Sequence, residues 1–207
     1  MSPARRLGIV GLLGALGGAI NAWLCYAKLP APVGTSLVAF SWHVIPAGAV
    51  HGALLAMIPV AFAQGLRRRG WPLRWAAVPV IGWLCGWLPF IPINMSLDAS
   101  SPLRAGVPSL MQALFWPFRS EPAEALVGLW QFFGAVGMLY YAGLNLFGVL
   151  AKPGVRPHLA LAIASGVLGS FWWWKEMAPW YFSVLHGTIW GALVGYGVWK
   201  ARPVVES

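Results

Sequence analysis

The sequence predicts an all-α integral membrane bundle of six transmembrane helices with both termini on the cytoplasmic side, and three observations carry that expectation. Charge is scarce: 14 Lys and Arg with 5 Asp and Glu make up only 9% of 207 residues, against about 25% in a water-soluble domain. Hydrophobic residues reach 59% and gather into six stretches without Asp, Glu, Lys or Arg, each near the ~20 residues that cross ~30 Å of hydrocarbon. The basic residues collect on alternate connections, as they do in cytoplasmic loops. A soluble enzyme, a disordered chain and a nucleic-acid-binding domain are excluded by the same figures.

In order, the first stretch covers residues 7–27 and stops at Lys28-Leu29-Pro30. The second, 43–65, stops before Arg67-Arg68-Arg69-Gly70-Trp71-Pro72, and the third covers 75–95. The fourth, 125–151, is closed by Lys152-Pro153-Gly154, the fifth covers 158–174, and the sixth, 181–199, follows the polar break from Lys175 to Pro179. Such Pro and Gly punctuation marks turns. No ten-residue alternation of apolar and polar positions is present, so a transmembrane β-barrel is not expected. The first stretch is too long for a signal-peptide core and lacks a small-residue cleavage site, so it reads as a true span. Cys25 and Cys85 lack a C-x-x-C spacing and read as buried thiols.

The long connection 96–124 contains Pro108 followed by Leu110, Met111, Leu114 and Phe115, the pattern of a short helix lying in the interface, as a spacer or a lid. Orientation follows from the charges. With the N-terminus inside, Arg5, Arg6, Arg67, Arg68, Arg69, Arg74, Lys152, Arg156, Lys200 and Arg202 fall inside, and only Lys28, Arg104, Arg119 and Lys175 outside. Asp98, Glu121, Glu124 and Glu176 fall outside, so sidedness accounts for the net charge of +9 without a nucleic-acid partner. The expected location is a bacterial-type inner membrane, crossed several times.

Polar side chains inside a span are expensive and mark candidate sites. Asn21 lies late in the first span; His51 lies eight residues beyond His43, about 12 Å along a helix; Asn94 ends the third; Gln131 and His186 lie within two turns of the outer ends of the fourth and sixth. All fall in the outer half, and only Asn145 lies towards the cytoplasm. The expectation is an outward-facing polar pocket built by Asn21, His51, Gln131 and His186, with His51 and His186 at similar depth, and the deeper aromatics Trp83 and Trp130 lining it; Trp87 is a further deep indole. Pro46 and Pro59 would loosen the second helix as a gate. Most other tryptophans, including Trp71, Trp75, Trp172, Trp173, Trp174, Trp180 and Trp199, fall at helix ends and read as interfacial anchors. Gly11, Gly14 and Gly18, with Gly187, Gly191 and Gly195, form small-residue rows for close helix packing, within the chain or against a membrane partner.

Two imidazoles could meet a metal, but no carboxylate or thiolate completes a zinc site, and no motif names a cofactor. Nor is an Asp or Glu present in the six stretches for a proton relay. His186 with Gly191 and Gly195 is similar to the last helix of rhomboid-type intramembrane proteases, yet their G-x-S-G serine is absent, which removes that route to catalysis. Six spans in about 200 residues, glycines on the first helix and an outward pocket resemble, in architecture alone, the substrate-binding subunits of energy-coupling-factor vitamin importers. A Walker A motif is missing, so ATP-driven work would fall to other subunits. The expected function is binding of a small solute or cofactor as a transport component; the alternative is a non-catalytic accessory or assembly subunit of a larger membrane complex.

Overall fold

The computed structural model of the chain describes residues 2–26, 44–88, 134–174 and 180–202. Among them the secondary structure is entirely helical: α1 (Pro3–Tyr26), α2 (Val44–Gly65), α3 (Trp71–Trp87), α4 (Ala135–Leu146), a 3-10 turn (Val149–Ala151), α5 (Val155–Trp174) and α6 (Trp180–Lys200). His43, Asn94, Trp130, Gln131 and the expected interfacial helix of 96–124 lie outside the described residues, as do the side chains of Cys25, Trp87 and Trp172 to Trp174.

Helices thus stand at all six expected places, and two of them are long and apolar enough to cross a membrane, over Pro3–Leu24 and Ile45–Gly65. The others fall short for different reasons. The described parts of α3 and α4 are 17 and 12 residues long. The 21 residues of α6 are diluted by Gly, Trp, Tyr and His.

Four expected ends are corrected by three residues or more. α1 starts at Pro3 and not at residue 7, because Ser2 Oγ accepts the Arg5 amide (3.3 Å) and Pro3 fits a first helical turn. α3 starts at Trp71, not residue 75, since Pro72 in its first turn opens the helix where it had read as a break. α4 stops at Leu146 instead of running to residue 151: Gly148 takes a left-handed conformation (φ 58°) and the chain tightens into the 3-10 turn. α5 starts at Val155 and not at residue 158, with Pro157 accommodated in its first turn.

Neighbouring helices form a closed ring. α1 pairs with α2, α5 with α6, and α1 also packs on α6; α4 bridges α3, α5 and α2. The two principal seams are made of glycine. Across α1 and α2, a Cβ built on Gly14 would lie 2.5 Å from the Gly52 carbonyl oxygen, and one on Gly48 would lie 2.7 Å from that of Gly18. Across α5 and α6, a Cβ built on Gly191 would lie 2.5 Å from Ile163 Cα and one on Gly195 would lie 2.6 Å from the His158 carbonyl oxygen, while one on Gly187 would meet Gly166 and Val167. Gly11 meets Met57, so all six glycines of the two rows face helices of the same chain. Glycine costs helix propensity, and the return is backbone-to-backbone contact that no larger residue permits.

The interior holds Val10, Ala56, Val60, Ile81, Cys85, Tyr140, Tyr141, Ala162 and Val194. The outward faces are apolar too, with Leu12 at 71% exposure and Leu168 at 63%. Among the described residues, charge is confined to one end. The ten basic residues of the inside set are all among the described residues, which contain no Asp or Glu. The start of α1 and the ends of α2 and α6 surround one cavity, Trp199 Nε1 donates to the Pro153 carbonyl (3.0 Å), and Arg74 reaches Asn145, which brings all ten to that end.

Candidate functional site

α1, α2 and α6 carry three of the expected site residues, and their register follows from the glycine contacts. Gly17 packs against Trp190 and Gly18 against Gly48 and Gly52. Asn21, one turn beyond Gly17 on α1, therefore comes level with His186, and its Nδ2 donates to the His186 carbonyl oxygen (3.0 Å). His51 precedes Gly52, whose carbonyl accepts the Trp190 indole N–H (3.3 Å). His51 thus sits about one turn, roughly 6 Å, nearer the basic end than His186. The two histidines, expected at similar depth, are offset in this way because α6 meets α1 and α2 through Trp190, one turn beyond its histidine.

Both imidazoles are nearly enclosed, each 8% exposed. Phe182, one turn earlier on α6, stacks on His186 with centroids 5.1 Å apart and planes at 25°. Asn21 Oδ1 is buried without a hydrogen-bond partner. So are Ser183 Oγ and Tyr140 Oη. Ser183, His186 and Trp190 follow one another at helical spacing on the buried face of α6, and the Tyr140 ring meets Trp190 edge-on with centroids 5.9 Å apart. A polar column therefore descends from Ser183 past His186 and Asn21 to Trp190, the level of His51, with Tyr140 beside it. Its length is about 10 Å along α6.

Trp83 is on α3, whose neighbours are α4 and α2. Gln131 and Trp130 lie outside the described residues. Pro59 is within α2 and fully buried. Ser183 and Tyr140 were missed because hydroxyls in apolar runs are common; the signal that finds Ser183 is its three-residue spacing to His186.

The column offers hydrogen-bonding groups and two imidazoles. Among the described residues, no three His, Cys, Asp or Glu side chains come together as a metal site. At the opposite end, Asn145, expected as the lone inward polar group, is engaged. Its Oδ1 accepts from Arg74 Nε (2.9 Å) and Nη2 (2.8 Å), its Nδ2 donates to the Tyr141 carbonyl, and Tyr141 Oη donates to the Arg74 carbonyl (2.8 Å). The chain matches no family model, no curated protein and no solved structure.

Proposed function

We propose that this chain is a multi-pass membrane protein, basic end towards the cytoplasm, that binds a small polar solute in the outer half of its bundle as a transport component. Two features support the membrane reading beyond the two long apolar helices: exposed Leu, Val and aromatic side chains on the outward faces of all six helices, as lipid-facing surfaces present, and the gathering of ten basic residues at one end. The observation that carries the binding reading is the set of three buried polar groups without partners, the acceptor Asn21 Oδ1 and the Ser183 and Tyr140 hydroxyls. Orphaned polar groups in a bilayer cost several kcal/mol each, by order of magnitude about 2 or more. A polar solute or water in the column removes that cost. Neutral hydrogen-bonding groups favour an uncharged or zwitterionic solute over an ion.

The test is a thermal-shift screen of the detergent-solubilised protein against amino acids, polyols, nucleosides and water-soluble vitamins. A stabilising compound is expected, and Asn21→Leu with Ser183→Ala should abolish its effect while leaving the unliganded melting temperature close to that of the parent. No shift from any compound, together with stoichiometric recovery of another membrane protein, would favour the accessory-subunit alternative. An absorption spectrum near 400 nm tests independently whether the two imidazoles, His51 and His186, hold a haem iron as the metal two histidines could ligate.

A further inference from the structure

A cavity of about 480 Å³ opens at the basic end, where the start of α1 meets the ends of α2 and α6. That size is within the ~300–1,000 Å³ of small-ligand pockets. Arg6, Arg67, Arg68 and Arg202 line it, with Gln64 beside them, over a floor that includes the fully buried Val10 and Val60. Arg6 Nε and Arg202 Nη1 are buried and have no hydrogen-bond partner. A guanidinium cannot shed its proton, so those N–H groups need an acceptor. The described chain cannot supply a carboxylate, because it contains none. The Trp199 ring under Arg202, 5.1 Å from the guanidinium carbon, steadies one wall.

We infer that this cleft binds the phosphodiester headgroup of an acidic phospholipid of the inner leaflet. Arg6 and Arg202, each with a buried N–H lacking an acceptor, and the exposed Arg67 and Arg68 beside them form a field that attracts an anion. Guanidinium forks match the several oxygens of a phosphate. The apolar floor, at the end of the two long apolar helices, selects an amphiphile over a free anion, and basic pockets between transmembrane helices on this side are where headgroups are held. The inference rests on the membrane-spanning reading above and is independent of the outer polar column.

The full-length protein in neutral detergent is titrated with phosphatidylglycerol, phosphatidylcholine or inorganic phosphate, reading the melting temperature and, by native mass spectrometry, retained lipid. Phosphatidylglycerol should bind roughly tenfold more tightly than phosphatidylcholine and raise the melting temperature by several degrees. Arg6→Gln with Arg202→Gln should remove that preference; Arg5→Gln with Arg69→Gln, an equal charge loss outside the cavity, should keep it. Glu206, four residues after Arg202, is the carboxylate nearest to it in sequence; Glu206→Gln should change nothing, and a several-fold gain in lipid binding would instead make that side chain the cleft's partner and overturn the proposal. Inorganic phosphate as effective as the lipid would replace a lipid site with a soluble-phosphate site, again overturning it. Equal binding of the two lipids by a protein that resists alkaline carbonate extraction would overturn the headgroup site alone, whereas release by carbonate would overturn the spanning reading beneath it.

Discussion

Single glycines in this protein differ sharply in what they tolerate. A methyl on Gly18 would run into the Gly48 carbonyl, whereas one on Gly8 would meet nothing within 4 Å. Gly18→Ala should therefore destabilise by at least the ~1–3 kcal/mol of overpacking, and Gly8→Ala should be neutral or gain up to about 1 kcal/mol of helix propensity. Thermal denaturation in detergent compares them; equal melting temperatures would deny the α1–α2 seam. Trp190→Phe retains the aromatic contact with Tyr140 and loses the indole donor to Gly52. The expected loss is about 0.6 kcal/mol, the average for an interhelical hydrogen bond in a membrane. At this scale the sequence was legible by residue type. Asn21, His51 and His186 announce themselves as polar groups in apolar runs, but their relative depth depends on helix register, which one chain read linearly does not display. Ser183 and Tyr140 acquire meaning only once their hydroxyls are seen to be buried and unpaired.

Helices were legible wherever charge punctuates them, and least legible where proline does. Ser2-Pro3 and Trp71-Pro72 open α1 and α3, yet proline both stops and starts helices, and only the backbone geometry says which. Asn145 illustrates a second limit, because the partner that explains it, Arg74, is 71 residues away. This pair fastens the first turn of α3 to the end of α4. Hydrogen bonds to a charged group contribute about 1.5–3 kcal/mol, so Asn145→Leu should destabilise by the lower part of that range, since Arg74 near the end of the bundle can still reach water. Gly148 is the other end-defining residue. Gly148→Val should lower stability by about 1–2 kcal/mol through its left-handed backbone, and through that alone, because a Cβ there would meet nothing within 4 Å. Denaturation midpoints of both variants, read with an unchanged slope, check these values.

The closed ring of six helices places Cys85 at 0% exposure against Gly137. In a Cys25→Ser background a maleimide should leave the folded protein unmodified and label Cys85 only through the unfolding transition; prompt labelling in native detergent would contradict the packing of α3 on α4. Sidedness is checked by reporter fusions, which should put residues 67–69 and both termini in the cytoplasm. The bundle's all-helical character was readable because bilayer-scale apolar stretches admit few alternatives. The fate of the glycine rows was not, since a small residue is equally suited to a neighbour within the chain or outside it, and here all six meet the chain's own helices.

The confinement of every described ionisable Lys and Arg to one end, with no Asp or Glu anywhere in the described helices, has an electrical corollary. A charge carried across an energised membrane gains or loses about 2.3 kcal/mol per 100 mV, and voltage sensors work by placing arginines where the field falls. These helices place none there. If the chain carries a neutral cargo as proposed, the described helices offer the field no charge to act on, and the transport rate should be the same in polarised and depolarised vesicles.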